Sequence, residues 1–438
     1  MLVAIDRENL PIIHDPSFRA YAEQYVRIAE TLAARLRETG LPLEPAPETE
    51  PALRRLQAKG AVVRNDGKSV YSRWISPACT ACRTGAGSVT FFISLRCHRR
   101  CFYCFNPNQE GFTYFRHTKR DVVAELRDIA AAGFQVDHVA LTGGEPLLHK
   151  PEAVSFFREA RRLFPEATTR LYTSGDFVDE AVLQELREAG LQEIRFSIRL
   201  PDGEAAQRHT LSAIALAREF VPRVMVEMPV LPGSFDRMTQ LLQELDGLRI
   251  AGINLLELCY PFHNVEAFRA RGYRLKWPPY RVLYNYWYAG GLPVAGSETE
   301  CLRLVEWSLD HGLSMGVHYC SLENKHTGQV YQQNAGGDIP PHHVFSERDF
   351  FFKTVKAFGE EMGPVMARLR HQGVVDFGVD DARGYVEFLP THVPLLRGLP
   401  VQLALSTAVM ESRDDGEYLR ELRVDLTTPD TFDLHTDV

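Results

Sequence analysis

The sequence predicts an α/β fold built on a parallel sheet, and a regular alternation of strands and helices is the main reason. Apolar runs at 89–96, 138–142, 169–174, 193–199, 224–230 and 253–258 read as strands. Between them lie helical stretches such as 118–132 and 179–189, closed by Gly133 and Gly190. Strands separated by helices demand crossover connections, which make neighbours parallel in a barrel-like or an open sheet. In either form the chemistry sits at the carboxyl ends of the strands.

The flanking elements follow from local signals. Phe18, Tyr21, Tyr25, Ile28, Leu32 and Leu36 form one apolar stripe at helical spacing. Asp15 suits the N-cap, Pro16 the first helical position and Gly40 the end. The Pro/Glu-rich stretch 41–51 is a linker or long loop, and 52–76 read as a short helix and a hairpin around Asn65-Asp66-Gly67. After 260 the alternation breaks into a loop-rich region with a helix near 298–311 and a strand at 314–320. A helix at about 346–370 is expected to lead into strands near 402–411 and 417–425, joined at Asp415-Gly416. The expected organisation is an N-terminal helical segment and hairpin (1–76), a CxxC loop (77–88), a core (89–260), a loop-rich substrate-side extension (261–345) and a C-terminal helix with a β-rich region (346–438).

With 438 residues, 45% hydrophobic and 24% charged, the chain has the composition of a globular protein. A formal charge of −8 argues against nucleic acid or an anionic membrane as a partner. Asp6, Arg7 and Glu8 stand where a signal peptide would need an apolar run, and no apolar segment approaches spanning length, so a cytoplasmic protein is expected. In a reducing compartment eight cysteines need an explanation other than disulfides. Five of them fall between Cys79 and Cys104.

SLRCHRRCFYCFNPNQ places Cys97, Cys101 and Cys104 in a C-x3-C-x2-C pattern directly after the first strand. Three soft thiolates on one loop suit an iron–sulfur cubane whose fourth iron stays open. A structural zinc site wants four ligands, and His98 is badly placed beside Cys97. The second strand ends in ALTGGEPLL, with Gly143, Gly144, Glu145 and Pro146. Consecutive glycines let a backbone approach a ligand closely, and a carboxylate there can accept from an ammonium group.

These two motifs, in this order and spacing, resemble the radical S-adenosylmethionine (SAM) superfamily signature, including the aromatic Tyr103 before the third cysteine. The resemblance covers roughly 89–260 and implies a partial parallel (β/α)6 barrel, with an N-terminal helical segment and a C-terminal α+β extension. It implies a 4Fe–4S cluster on Cys97, Cys101 and Cys104, with SAM chelating the open iron. Tyr103, Thr142, Gly143, Gly144, Glu145 and Pro146 would then line the SAM site, with Glu145 meeting the methionine ammonium. Ser174 in LYTSGD, with Thr173 and Asp176 beside it, and Ser197 and Arg199 in EIRFSIR would contact ribose or the methionine carboxylate. The implied reaction is reductive SAM cleavage to a 5′-deoxyadenosyl radical that abstracts hydrogen from a small-molecule or peptide substrate. A reducing partner such as flavodoxin or ferredoxin would supply the electron.

Cys79 and Cys82 form a C-x2-C, half of a zinc or iron–sulfur site, for which Cys259, Cys301 and Cys320 remain as partners, Cys320 foremost with His318 and His326 close to it. Cys301, on a helical run, reads as a packed core thiol. The flanks lack both a cysteine-rich C-terminal extension and a cobalamin-sized N-terminal domain, leaving an enzyme with its own substrate. Substrate-side candidates are Glu257, Cys259, Tyr260 and His263 after the sixth strand, a second set of His318, Cys320, Glu323, Lys325 and His326, and the aromatic stretch 283–291. Cys259 or Cys320 could donate hydrogen to a product radical, because thiol S–H bonds are weak. Two other classes stand beside this reading: a zinc-stabilised α/β binding protein, and an activating enzyme for another protein.

Overall fold

The computed structural model describes residues 2–285 and 290–438. The chain divides into two compact units, one of residues 41–279 and 286–328, the other of 1–40, 280–285 and 329–438. The division cuts across the expected 1–76 segment, whose helix belongs to one unit and whose hairpin belongs to the other.

The larger unit is built on β1 (Ser88–Phe92), β2 (His138–Thr142), β3 (Thr168–Thr173), β4 (Glu193–Phe196), β5 (Arg223–Val230), β6 (Gly252–Glu257) and β7 (Gly316–Cys320). All are parallel and lie in sequence order across the sheet. The expected six-stranded partial barrel therefore gains a seventh parallel strand, the one read from sequence at 314–320. The hairpin Val62–Arg64/Ser69–Ser72 then adds antiparallel to β7, giving nine strands in an unclosed order. Its turn is formed by Asn65, Asp66 and Gly67, all at positive φ.

A strand period of two sorts the two faces of this sheet. Val139, Leu141, Leu171, Ile194, Val224 and Val226 share one buried cluster with helix residues Phe157, Leu183, Leu186, Leu241 and Leu245. The opposite, inner face is polar. Ser88, His138 and Thr168 are paired in one row, Arg170, Glu193 and Arg223 in the next, and Glu227, Asn254, His318 and Tyr71 in a third.

The segment carrying the C-x2-C enters this inner face as a short helix, Pro77–Ala81. Ser76 Oγ donates to Glu193 Oε2 at 2.9 Å, and Cys79 Sγ accepts from Arg195 Nη2 at 3.3 Å and Asn254 Nδ2 at 3.2 Å. A Cβ on Gly316, at the start of β7, would lie 2.2 Å from the Trp74 carbonyl oxygen, so this segment runs hard against the amino ends of the strands.

The smaller unit is a seven-stranded sheet whose main strands are β8 (Phe352–Phe358), β9 (Tyr385–Phe388), β10 (Leu403–Arg413) and β11 (Gly416–Thr427). The first helix, Pro16–Arg37, starts as expected, with Asp15 Oδ1 accepting from the Phe18 amide. Its stripe packs on this sheet, Phe18 stacking on Phe358 at 4.9 Å between ring centroids. Burying each such ring stabilises by about 1.5–3 kcal/mol.

The expected helix at 346–370 is corrected: 352–358 is the fully buried strand β8, followed by a 3-10 turn at Gly359–Glu361 and an α-helix over Met362–His371. Lys353 and Lys356 disguised the strand, being buried on it with Asp349 and Glu421 as counter-ions. A helix at Leu322–Asn334, within the region read as loop-rich, was not foreseen. The paired strands at 403–413 and 416–427 match the expected hairpin.

Candidate active site

The cysteine loop leaves β1 at its carboxyl end and is tied down by backbone contacts. Gly144 N donates to Ser94 O at 3.2 Å and Glu145 N to Arg96 O at 2.9 Å, which locks the glycine turn after β2 onto the strand leading to Cys97. Asn106 Nδ2 donates to Gly143 O at 2.7 Å. From the far side His263 Nε2 bonds the Cys104 carbonyl at 2.8 Å, and Asn264 Nδ2 bonds that of Phe102 at 3.2 Å. His263, expected to face substrate, instead holds the cysteine loop.

Glu145 is held by neighbours within the chain. It is 2% exposed, and its carboxylate faces the end of β3. Thr173 Oγ1 donates to Oε1 at 2.8 Å, while Ser174 N and Oγ donate to Oε2 at 2.8 and 2.7 Å; Leu147 N adds a bond to Oε1 at 3.2 Å. Four donors reach the carboxylate, so the side chain braces two strand ends. Thr142 is half-buried opposite Phe92, Pro146 is buried at the start of a turn of 3-10 helix, and Ser197 extends the ladder by donating its N–H to Thr173 O.

A charged group lies beside the cysteines. Arg99 joins Asp176 and Asp202, and His98 also reaches Asp176. Arg199 Nη2 stands 3.1 Å from Asp202, while Arg199 Nε is buried without a hydrogen-bond partner. The Arg199 charge acts on the Cys101 thiol against the burial that pushes that thiol up. Burial likewise pushes up the Cys97 and Cys104 thiols and the Tyr103 phenol.

These residues fit a cluster with SAM. An orphaned, buried guanidinium N–H calls for an anionic acceptor, which a methionine carboxylate supplies. Among the described residues no three His, Cys, Asp or Glu side chains stand as ligands to one ion. A cubane spreads its ligands over separate irons, so three thiols on one loop meet its need without converging on a point.

The residues of the expected second metal site lie near one another. Cys79, Cys82 and Cys320 are close enough for the first two to bear on the Cys320 thiol, yet they do not surround a single ion. Cys79 is occupied as an acceptor for Arg195 and Asn254.

The substrate-side candidates separate by depth. His318 lies within the sheet, its Nδ1 on Asn254 Oδ1 and Nε2 on Ser69 Oγ, both at 2.9 Å. Glu257 accepts from Lys276 Nζ at 2.6 Å and Leu322 N at 2.9 Å, so it pins the helix after β7; burial and the second carboxylate of Glu298 push it up. Lys276, in a strand of only three residues (Leu275–Trp277), offered no periodic signal in sequence. His326 is buried and Glu323 half-buried on that helix, and Tyr260 packs on Phe262 and Phe268. Cys301 is fully buried, the packed thiol expected. Residues 286–289 of the aromatic stretch 283–291 lie outside the described residues.

Cys259 and Cys320 are both buried. Burial pushes both thiols up to about 12, so they keep their protons at neutral pH. Lys325 sets its charge beside both of them and places Nζ 5.8 Å from the ring centroid of Phe105, the residue after Cys104.

The sequence profile of the radical SAM superfamily matches residues 91–245, which span the cysteine loop, the glycine turn and β1 to β5. Residues 91–245 are therefore similar to the radical SAM superfamily. A protein of Methanocaldococcus jannaschii, provisionally named as a glycyl-radical enzyme activating enzyme, is 24% identical over 319 residues, 69% of this chain and 79% of the relative. The GTP 3′,8-cyclase of Microcystis aeruginosa is 34% identical over 108 residues, 24% of this chain and 31% of that enzyme. Streptococcus suis SuiB, solved bound to S-adenosylmethionine, aligns with a TM-score of 0.40 at 13% identity, over 54% of this chain and 51% of that one. The chain thus spans about a third of the cyclase and half of SuiB. Members of the superfamily use a 4Fe–4S cluster and SAM. Among the described residues no helix is long and apolar enough to cross a membrane.

Proposed function

We propose that this radical SAM enzyme binds its cluster through Cys97, Cys101 and Cys104, cleaves SAM reductively and abstracts hydrogen from a substrate of its own. The observation that carries this is the unpartnered Nε of Arg199 beside the Cys101 thiol, inside a loop fastened by Gly144, Glu145 and His263. Held by Cys97, Cys101 and Cys104, a bound cluster would supply the single electron for reductive cleavage of SAM and so the radical chemistry of hydrogen abstraction. Arg199, oriented by Asp202, receives the methionine carboxylate. Glu145 keeps Thr173 and Ser174 at the lip of β3 in place. Cys259 and Cys320 hold S–H hydrogens within the site, and Lys325 offers a cation to the substrate. A reducing protein of flavodoxin or ferredoxin type supplies the electron.

Cys97→Ala, Cys101→Ala and Cys104→Ala should each abolish 5′-deoxyadenosine release after dithionite reduction. Wild-type release from any of them overturns the reading. A second reading, activation of another protein, is favoured by the Methanocaldococcus relative's name and the extent of that match. Incubation with a candidate glycyl-radical protein decides between the two: a protein-based radical signal by electron paramagnetic resonance supports activation.

A further inference from the structure

The inner face of the larger sheet carries one guanidinium more than its carboxylates neutralise. Arg170, Arg195 and Arg223 face Glu193 and Glu227 there, and Arg195 takes most of both acids. Its Nε reaches Glu193 Oε1 at 2.8 Å and its Nη1 reaches Glu227 Oε2 at 2.6 Å. Arg223 Nε stands 3.5 Å from Glu193 Oε2, an ion pair without a hydrogen bond.

Arg170 is left over. It is 9% exposed, its Nε is buried without a partner, and its neighbour is the Tyr172 ring at 5.4 Å. Its charge bears on Glu193, but no hydrogen bond satisfies the buried Nε, and a buried guanidinium left so incompletely compensated is costly. Three more polar atoms on the same face are buried without hydrogen bonds, namely Ser88 Oγ, His138 Nδ1 and Arg223 Nε. Register brings them together: Ser88 pairs with His138, and Arg170 with Glu193, which pairs with Arg223. All lie within the first three residues of their strands, at the amino end of the sheet, opposite the cysteine loop. Asp137 and Glu193 are the acidic groups that act on His138, and Arg170 and Arg223 the basic ones. The Arg223 side chain is 32% exposed, so the group opens to solvent.

We infer that Arg170, Arg223, His138 and Ser88 form a binding site for a small oxyanion, a carboxylate or phosphate group, at the amino end of the barrel. Guanidinium and hydroxyl groups donate, and the planar Arg170 fork suits two oxygens of one anion. The site goes beyond the proposed reaction and does not depend on it.

The test uses the full chain, purified with its cluster, and inorganic phosphate or acetate titrated against chloride at constant ionic strength. At least one of the two should raise the thermal unfolding midpoint saturably, which also tells a phosphate site from a carboxylate site. Arg170→Met should lose that shift and unfold no lower than wild type without the anion, because an apolar side chain replaces a buried guanidinium whose Nε has no hydrogen-bond partner. Should Arg170→Met fail to fold, Arg223→Gln, at a partly exposed position, should still reduce the shift. No saturable shift with either anion, meaning that only water fills the site, overturns the inference. So does a shift undiminished in the variants, which would place the anion elsewhere, for example at Arg199.

Discussion

A Cβ on Gly144 would lie 1.9 Å from the carbonyl oxygen of Arg96, the residue before Cys97. The glycine turn after β2 and the cysteine loop after β1 therefore touch backbone to backbone. Gly144 does not need a left-handed conformation, so the demand for glycine here comes from contact alone.

Gly144→Ala should push the two loops apart. We expect a loss of about 1–3 kcal/mol in stability from overpacking and a fall in iron bound per chain. Iron analysis beside chemical denaturation checks this; full iron content with unchanged stability would show that the loops separate freely.

Glu145→Ala should destabilise the fold as well as weaken SAM binding. Removing the carboxylate strands the Thr173 hydroxyl and the Ser174 and Leu147 amides. The expected cost is about 2–4 kcal/mol, with Glu145→Gln milder. A Glu145→Ala protein as stable as wild type but deficient in SAM affinity by calorimetry would return the residue to the ammonium-binding role.

His263→Ala should loosen the cluster loop by removing the bond to the Cys104 carbonyl. The bond is worth about 1 kcal/mol, roughly fivefold in an equilibrium. Cluster loss to a chelator, followed by visible absorbance, should speed up by a similar factor, and His263→Gln, which keeps a donor, should restore the wild-type rate. Equal rates in all three proteins would contradict the assignment.

Acid should destabilise the larger unit through His318. Burial pulls its pKa down to about 3, with Arg195 adding to the effect. Nδ1 donates to Asn254 Oδ1, which leaves Nε2 to accept from Ser69, so a second ring proton has no acceptor waiting. The unfolded chain binds that proton near pH 6.5 and the folded one only near 3, so the stabilisation is present above 6.5 and is lost as pH falls through this window. Between pH 7 and 5 the loss is about 2 kcal/mol. Denaturation at both pH values, in wild type and His318→Gln, should show the dependence shrinking in the variant; an identical slope would place it on other groups.

Much of the larger unit was legible because its signals are local. The strand at 138–142 and the turn at Gly143 and Gly144 follow from a few neighbouring residues, as does the helix cap at Asp15. Strand β8 was not legible: Lys353 and Lys356 read as surface residues until Asp349 and Glu421 are seen beside them. The roles of Glu145 and His263 were hidden for the same reason, since a side chain's partner can lie far along the chain.

By itself the sequence determined the parallel α/β core, the cysteine triplet and the glycine turn, because strand period, helix caps and thiol spacing are short-range properties. Only the tertiary structure decided that Glu145 braces β3, that His263 grips Cys104, and that Cys79 sits among Arg195 and Asn254. It alone left Arg170 Nε buried without a hydrogen-bond partner. Which charges meet, and which are buried without meeting, depends on strand register and on which face each residue takes, and a one-residue change in register would exchange every one of those neighbours.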